Sequence, residues 1–352
     1  MKNIQHTQPK PSSKPNSFLG IDVGKVDLFC HIISSNETYS DRFDNTTTGI
    51  KKLTEWVKST AEPRQLSACL EQTGHYGKAV ATALYDMNIL SLHLVNPRQI
   101  KAYGNQKLRR NKSDTADAKL IAQFLRSEQG DLIDWVPQSA DHEKVAELSR
   151  YAESMTRDNA RLKTKCEAVT NSIIMRSLKR RIKAQEKEIE SARKQINKVI
   201  VNNEQLSLMR ELLLSIPGIG EVSCHTLLGE LPSIDLFSNA RQLAAWVGVT
   251  PQHHKSGTSG RSTTPITKVG SARLRSGLFL PAMNARVFNP LLKTFADRLK
   301  ENGKTPKQII VAVMRKLLHQ IFGILKSGEP YNPEKRGFLN NPKPLSYKAK
   351  KA

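Results

Sequence analysis

The feature that most restricts the fold is a long stretch of chain, between Gln138 and Ile216, that contains neither glycine nor proline. Because tight turns rely on those residues, this stretch predicts long helices. Apolar residues recur in it at seven-residue steps, in two series that are out of phase by one residue: Leu148, Met155, Leu162 and Val169, then Ile182, Ile189 and Ile196. The change of phase predicts coiled-coil helices over 138–205, with a bend or hairpin near Ser172–Ser177. These helices are expected either to pair with another protomer along the apolar seam or to act as a solvated spacer.

Short apolar stretches precede this helical region and alternate with amphipathic ones. The segment FLGIDVGKVDLFCHII predicts two strands, and QLSACLE and SLHLVNP predict two more. A turn in FDNTTTG leads to a helix around 50–58, AVATALYDM predicts a second helix, and DTADAKLIAQFLRS predicts a third. Strands followed by alternation with helices indicate an α/β domain with a mixed sheet over 18–135.

The remaining part of the chain, over 207–330, is expected to be mainly helical. It opens with IPGIGEVSCHTLL, whose short turn between two helices is typical of a helix-hairpin-helix element. Gly218 and Gly220 in this turn would let backbone N–H groups approach a phosphate, and a plain helix–helix turn is the alternative. Residues 1–17 are predicted to be disordered, and residues 331–352 are predicted to form a basic tail.

The charge of the chain indicates what kind of partner it has. Its 352 residues carry a formal net charge of +23, and the pI is near 9.9. This balance predicts a nucleic-acid partner, because basic side chains displace condensed counterions from phosphates; a membrane surface is the alternative. No apolar run reaches the roughly 20 residues of a membrane-spanning helix, and the chain begins without an apolar signal core. We therefore expect a cytoplasmic protein, close to the nucleoid, with no membrane partner.

The cysteines carry no sign of a metal site or of disulfides. They are scattered without CxxC spacing, and three of them lie in apolar or helical segments. Buried free thiols are the expected state of Cys30, Cys69, Cys166 and Cys224.

Four acidic residues occupy positions where strands end or a helix begins. Asp22 and Glu71 each end a predicted strand, and Asp114 and Asp117 share one face at the start of a helix. Such ends converge at one edge of an α/β sheet, where carboxylates can hold two Mg²⁺ ions about 3.5–4 Å apart for phosphoryl displacement. The alternatives are helix-dipole acids for Asp114 and Asp117, and an ordinary turn residue for Asp22.

A long loop rich in Gly, Ser and Thr lies within WVGVTPQHHKSGTSGRSTTPITKVGSARLRSGLF, and basic residues in and around it are suited to positioning phosphates. These are Lys255, Arg261, Lys268, Arg273 and Arg275. A loop hydroxyl is a candidate nucleophile, but the residue types alone do not rank Ser256, Thr258, Ser259 and Ser262. His253 and His254 are candidate proton acceptors or ordinary surface imidazoles. An inert flexible loop is the alternative.

Motifs over about residues 18–331 resemble, in order, the DEDD-type insertion-sequence transposases related to the Piv invertase, also called bridge recombinases. The matching segments are GIDVGK, FDNTTTG, LEQTGHY, LVNPRQIKAY, RRNKSDTADAKLIAQF, SIPGIGEVSCHTLL, FSNARQLAAWVGVTPQHHKSG, ITKVGSARLRSGLFLPAM and LKSGEPY. The resemblance therefore covers nearly the whole chain. The chain departs from the family's pattern at two places. Its N-terminus is longer and contains Pro and Lys, and Gln252–His254 stand where basic or aromatic residues are frequent in the family.

The resemblance implies a RuvC-like (RNase H-like) domain, a coiled coil and a C-terminal transposase domain. It makes Asp22, Glu71, Asp114 and Asp117 a metal-binding tetrad for Mg²⁺. The motif TPQHHKSG makes Ser256 the nucleophile that forms a covalent serine–DNA intermediate, so that DNA is cut and rejoined. The implied partners are donor DNA, target DNA and a bridge RNA. The implied assembly is a dimer that forms a tetramer.

Two other functions stay open at this point. In a hydrolytic RuvC-like nuclease or Holliday-junction resolvase, the acids would activate water and Ser256 would be idle. In a nucleic-acid-binding protein without catalysis, the acids would have only a structural role.

Overall fold

The structure is a computed structural model that describes residues 15–35, 37–72, 76–107, 114–252 and 265–334. These residues form two compact units, which divide between Pro137 and Gln138. The expected disordered N-terminus and basic tail lie mostly outside the described residues and stay predictions. The folded part extends slightly into both, because Ser17 begins the first strand and the backbone N–H of Tyr331 donates to Ser215 Oγ at 2.8 Å.

The first unit is built on one five-stranded sheet, with the strand order β3-β2-β1-β4-β5. β1 pairs antiparallel with β2, and β2 pairs antiparallel with β3, whereas β1–β4 and β4–β5 are parallel pairs. The mixed sheet expected from the sequence is therefore confirmed. The strands are β1 (Ser17–Val23), β2 (Asp27–Ile33), β3 (Thr38–Asp44), β4 (Leu66–Glu71) and β5 (Ser91–Val95).

One strand and one helix of the first unit were not expected from the sequence. Strand β3 was not predicted, because nearly all of its side chains are exposed and it lacks the apolar alternation of a half-buried strand. A helix that starts at Pro97 was also missed. Proline ends the preceding strand, but it is equally suited to the first turn of a helix, where Asn96 caps the backbone N–H of Arg98 at 3.0 Å.

Helices cover both faces of the sheet. They are α1 (Thr47–Thr60), α2 (Lys78–Asp86), α3 (Pro97–Gln106) and α4 (Asp114–Glu128). Leu53 of α1 and Leu84 of α2 belong to the core on one face, together with Ile21 and Leu70 of the sheet. The core on the other face is formed chiefly by α3 and α4, and Ile121 lies at its centre without solvent exposure.

Helix α4 packs directly on the backbone of β1 at Gly20. A Cβ atom at this position would lie 2.3 Å from the carbonyl oxygen of Ala118 and 2.3 Å from the amide nitrogen of Ala122. Since real Cβ contacts are never that short, only glycine allows this close approach. The small side chains of Ala118 and Ala122 permit it from the helix side. The contact fixes where the N-terminus of α4 lies relative to the end of β1.

The second unit is mainly helical, as expected. Its helices are α5 (Ala140–Ala168), α6 (Ser172–Val201), α7 (Glu204–Leu214), α8 (Glu221–Glu230), α9 (Ala240–Val247), α10 (Ala272–Gly277), α11 (Phe279–Phe288), α12 (Pro290–Glu301) and α13 (Pro306–Ser327). Helix α13 is long and apolar enough to cross a membrane, but 56% of its most apolar window is buried inside the protein. Burial of this kind is typical of the core helix of a globular unit.

The two long helices α5 and α6 pack against each other as a hairpin within one chain. Lys163 Nζ lies 2.8 Å from a carboxylate oxygen of Glu186, and the hydroxyl of Tyr151 donates to Glu188 at 3.2 Å. The break lies at 169–171, just before the predicted bend, and the Asn171 side chain caps the start of α6.

The seam of this hairpin differs in part from the predicted one. Ile189 and Ile196 are buried in α6, as the seven-residue step predicts. In α5 the most buried step is Val145, Ala152 and Asn159, whereas Leu148, Met155 and Leu162 are half-buried. The difference arises because α5 also packs on α8, where a Cβ atom at Gly229 would lie 2.6 Å from the Cα atom of Ala146.

The cysteines follow the expectation of free thiols. Cys30, Cys69 and Cys224 are buried, Cys166 is half-buried, and all four are free.

Replacement of Gly20 should show how strongly the α4–β1 contact stabilises the first unit. We expect Gly20→Ala to lower the free energy of unfolding by about 1–3 kcal/mol, because the added Cβ forces α4 away from the sheet. Chemical denaturation followed by circular dichroism measures this change. Gly130→Ala is the matched control, since a Cβ atom there meets nothing within 4 Å. Equal stability of the two variants would contradict the close approach.

Candidate functional site

The ends of β1 and β4 bring two of the four acidic residues next to each other. The strands are parallel, and Ile21 pairs with Leu70, so the next residues along them, Asp22 and Glu71, occupy neighbouring positions. Adjacent strands lie about 4.8 Å apart. Ile21 and Leu70 face the core under α1 and α2. Because side chains alternate along a strand, Asp22 and Glu71 face the opposite side, where α4 packs.

Helix α4 supplies the other two acids in its first turn. Asp114 and Asp117 are three residues apart, so both side chains lie on one face of the helix. The Gly20 contact places this turn beside the end of β1. As a result, carboxylate oxygens of Asp22, Asp114 and Asp117 lie within 4.8 Å of one another. Glu71 lies outside this group of three, on the adjacent strand.

The exposure and chemistry of this group fit a cation that is open to substrate. Asp114 is exposed, and Asp22 and Asp117 are half-buried. Three like charges at this distance repel one another, and a divalent cation would remove the repulsion. Carboxylate oxygens are the ligands that hard cations such as Mg²⁺, Mn²⁺ and Ca²⁺ take, and this group of three offers neither the nitrogen nor the sulfur atoms that favour zinc. The residues therefore fit a divalent-metal centre.

A basic residue near this group was not identified from the sequence. Arg42 of β3 donates to Asp27 Oδ1 at 3.0 Å from Nε and at 2.7 Å from Nη2. This hydrogen bond raises the pKa of the Arg42 guanidinium, and the charge of Asp114 contributes a smaller rise. Arg42 therefore lies within electrostatic reach of Asp114. The position of Arg42 near Asp114 follows from the pairing of β3 with β2, which the sequence did not predict.

The two glycines in the turn between α7 and α8, Gly218 and Gly220, have different surroundings. Gly218 has a φ of +109°, and a Cβ atom there would lie 2.7 Å from the backbone of Ala285, so packing against α11 accounts for this glycine. Gly220 precedes α8, and a Cβ atom there would meet nothing within 4 Å. The N-terminus of α8 is open at this point, although Glu221 in its first turn forms an ion pair with Arg210.

Two of the basic residues expected to bind nucleic acid make contacts inside the second unit. Arg273 forms ion pairs with Glu153 at 2.9 Å and with Glu230 at 3.3 Å, which tie α10 to α5 and α8. The Nη1 group of Arg275 donates to the carbonyl oxygen of Val247 at 2.8 Å, at the end of α9. Lys268 is exposed and has a φ of +53°.

The proposed nucleophile and its neighbours lie outside the described residues. This applies to Ser256 and the basic Lys255 and Arg261, and also to His253, His254, Thr258, Ser259 and Ser262. The residues that flank this segment pair with each other. The backbone N–H of Gln252 donates to the Pro265 carbonyl at 2.7 Å, and that of Thr267 donates to the Thr250 carbonyl at 2.9 Å. The two ends of the segment are thus held together.

Comparison with known proteins gives two matches to transposase families. A DEDD-type family model that is described as a transposase matches residues 19–175, and a model of the transposase IS116/IS110/IS902 family matches residues 210–297. The first match contains the four acidic residues, and the second contains Ser256.

Individual relatives and a solved structure are also similar to the chain. The pilin gene-inverting protein of Moraxella bovis is 31% identical over 320 residues, which cover 90% of this chain and 98% of that protein. An uncharacterized 43.6 kDa protein of the insertion element IS110 from Streptomyces coelicolor is 29% identical over 120 residues, which cover 34% of this chain and 29% of that protein.

The solved structure is T. thermophilus RuvC in complex with a Holliday junction substrate. It is 14% identical, has a TM-score of 0.26, and covers 34% of this chain and 99% of its own. This likeness is too weak to support any conclusion about activity. The family matches and the full-length similarity at 31% identity show that this chain belongs to the IS116/IS110/IS902 family of transposases.

Proposed function

We propose that this protein is a metal-dependent DNA recombinase of an insertion sequence, which cuts and rejoins DNA through a covalent serine–DNA intermediate. The observation that carries the proposal is the group formed by Asp22, Asp114 and Asp117, whose carboxylate oxygens lie within 4.8 Å of one another. In a transposase, carboxylates gathered in this way serve phosphoryl transfer.

Asp22, Glu71, Asp114 and Asp117 are proposed to hold two Mg²⁺ ions. The group of three supplies the first set of ligands, and Glu71 is the proposed fourth because it lies beside Asp22 on the adjacent strand. Bound ions would supply positive charge against the negative charge that develops on a phosphate under attack. The half-buried Asp22 and Asp117 would then act as the fixed part of the site, and the exposed Asp114 would face the substrate.

Ser256 is proposed to attack the phosphorus atom of a DNA phosphodiester through its hydroxyl oxygen. A serine–phosphate ester bond forms and the bond between phosphorus and one DNA oxygen breaks. A base accepts the proton of the serine, and the departing DNA oxygen takes up a proton and leaves as a hydroxyl. The reverse reaction with a different DNA hydroxyl rejoins the strands without an external energy source. The match of residues 210–297 to a transposase family and the motif TPQHHKSG support this role.

The partners are proposed to be donor and target DNA and a bridge RNA, with a dimer that assembles into a tetramer, in the cytoplasm near the nucleoid. The net charge of +23 supports a nucleic-acid partner. Gly220, with its open helix N-terminus, and the exposed Lys268 are the described candidates for phosphate contact, and Lys255 and Arg261 are further candidates. Gly218, Arg273 and Arg275 are also proposed to contact nucleic acid, although each of them makes a contact inside the second unit as well.

The proposed organisation is a RuvC-like domain over 18–135, a coiled coil over 138–205 and a transposase domain over 207–330 with a helix-hairpin-helix element. The strand order of the first unit and the α5–α6 hairpin support the first two parts. The open Gly220 turn between α7 and α8 supports the last.

Binding of a divalent ion should be visible without any DNA. With Mn²⁺ or Mg²⁺ at about 100 times its dissociation constant, we expect the free energy of unfolding to rise by about 2.7 kcal/mol, and EDTA should reverse the rise. Thermal unfolding measures the effect. Asp117→Asn should lose most of it, whereas Asp86→Asn, at the exposed end of α2, should retain it. A full metal effect in Asp117→Asn would show that the ion binds elsewhere.

Replacement of the nucleophile separates recombination from hydrolysis. Ser256→Ala should lower strand cleavage by at least about 10³-fold and abolish the covalent protein–DNA adduct, while DNA binding persists. Denaturing gels of reactions with labelled DNA measure cleavage and adduct together. Ser259→Ala, in the same segment, is the matched control and should form the adduct. Cleavage by the wild-type protein without any adduct would instead favour the hydrolytic nuclease, in which the acids activate water.

A further inference from the structure

A cavity of about 640 Å³ in the second unit has not been used by the function proposed above. One wall consists of the residues that flank 253–264, namely Val249, Pro251, Pro265 and Ile266. Phe295 of α12, Arg241 of α9, Thr305 and residues of α13 form the rest of the lining. The volume falls within the range of about 300–1,000 Å³ that is usual for sites of small organic ligands.

The charged residues around this cavity are all basic. Arg241, Lys307, Arg315 and Lys316 line it, and none of the described residues that line it is acidic. Burial lowers the pKa of Arg315, and the neighbouring Arg241 lowers it further. Lys316 is affected in the same way by burial and then by Arg315. Cations that crowd together in a partly desolvated place favour an anion as ligand.

His319 of α13 adds a polar group that lacks a partner in the described part of the chain. Its side chain lines the cavity and is 5% exposed, and neither ring nitrogen has a hydrogen-bond partner there. The Nε atom of Arg315 is also buried and has no hydrogen-bond partner among the described residues. Buried polar atoms without partners destabilise a fold, so their presence in a cavity indicates that a ligand completes them.

The state of His319 restricts what this ligand offers. Burial lowers the pKa of His319 to about 4, with further contributions from Lys316, Arg315 and Arg241. The imidazole is therefore neutral near pH 7, with one nitrogen that donates and one that accepts a hydrogen bond. A nucleobase edge presents matching donors and acceptors. Phe295 provides a half-buried ring nearby, with the Arg298 guanidinium 5.5 Å and the Lys316 ammonium 5.8 Å from its centroid.

We propose that this cavity binds one unpaired nucleotide of a nucleic-acid strand. The phosphate lies against Arg241, Arg315 and Lys316, the base packs on the apolar wall and Phe295, and His319 hydrogen-bonds the base edge. A simple anion would use the cations but leave the apolar wall and the neutral imidazole without a function. The inference rests on the proposed function for the class of partner.

The position of the cavity gives this nucleotide a role in placing the strand. Pro251 and Pro265 lie at the two ends of the segment that contains Ser256, and both line the cavity. A strand that is held there by one of its nucleotides contacts both ends of that segment. The cavity thus acts as an anchor for a strand next to the serine segment, and Arg241, Arg315 and His319 are positioning residues.

The test compares strands that have bases with strands that lack them. The full-length protein is titrated with short labelled oligothymidylate, with oligouridylate, and with abasic strands of the same length, which keep the phosphates. We expect the wild-type protein to bind strands with bases about tenfold more tightly than abasic strands. Preference within the deoxyribose set identifies the source as DNA, and preference within the ribose set identifies it as RNA.

Variants connect this preference to the cavity. Ala312→Phe fills the space and His319→Leu removes the group that hydrogen-bonds the base edge, and each should reduce the preference to about one. Lys293→Gln removes an exposed cation of α12 that does not line the cavity, and it should keep the preference. If Ala312→Phe does not fold by circular dichroism, His319→Leu decides the result.

Two results would overturn the inference. Equal binding of abasic and base-containing strands by the wild-type protein would show a site for phosphate alone. A preference that persists in a folded Ala312→Phe or in His319→Leu would place the base elsewhere. Neither result depends on cleavage, so an intact serine–DNA adduct together with either of them would leave the proposed function in place. Base preference without any adduct would overturn only the proposed function.

Discussion

The contact between helix α4 and strand β1 at Gly20 is the interaction on which the acidic site depends. A helix that lay at the usual distance from the sheet would leave its first turn too far from the end of β1 for carboxylates to meet. Here the missing side chain at Gly20 and the small Ala118 and Ala122 let the helix backbone approach the strand. The carboxylates of Asp114 and Asp117 thereby come close to that of Asp22.

This arrangement concentrates negative charge in a protein whose formal net charge is +23. The acids would repel a DNA phosphate if they acted alone, and a divalent cation shared between them would turn the repulsion into attraction. Basic residues elsewhere in the chain favour the approach of nucleic acid as a whole. The proposed role of the cavity beside residues 253–264, which is lined by Arg241, Arg315 and His319, is more specific: it holds one nucleotide of the strand in place.

Much of the acidic site was predictable, because strand ends and helix starts are local features and the sheet brings them together. Asp22, Asp114 and Asp117 were selected in this way and lie close together, whereas Glu71, selected with them, lies outside that group. Which acids meet depends on how closely α4 packs on β1, and only the structure shows that. Residues whose partners are distant in sequence were harder. The basic type of Arg273 and Arg275 suggested nucleic acid, yet Glu153, Glu230 and the Val247 carbonyl bind them inside the second unit. His319 gave no signal, since an isolated histidine in an apolar helix is usually a core residue.

The most direct test of the metal centre is crystallographic. Crystals soaked in Mn²⁺ and measured at its absorption edge would locate the ion by its anomalous signal. We expect a peak bounded by the carboxylates of Asp22, Asp114 and Asp117, at metal–oxygen distances of about 2–2.3 Å. A well-diffracting crystal with Mn²⁺ bound elsewhere and no peak between these carboxylates would contradict the assignment of this site.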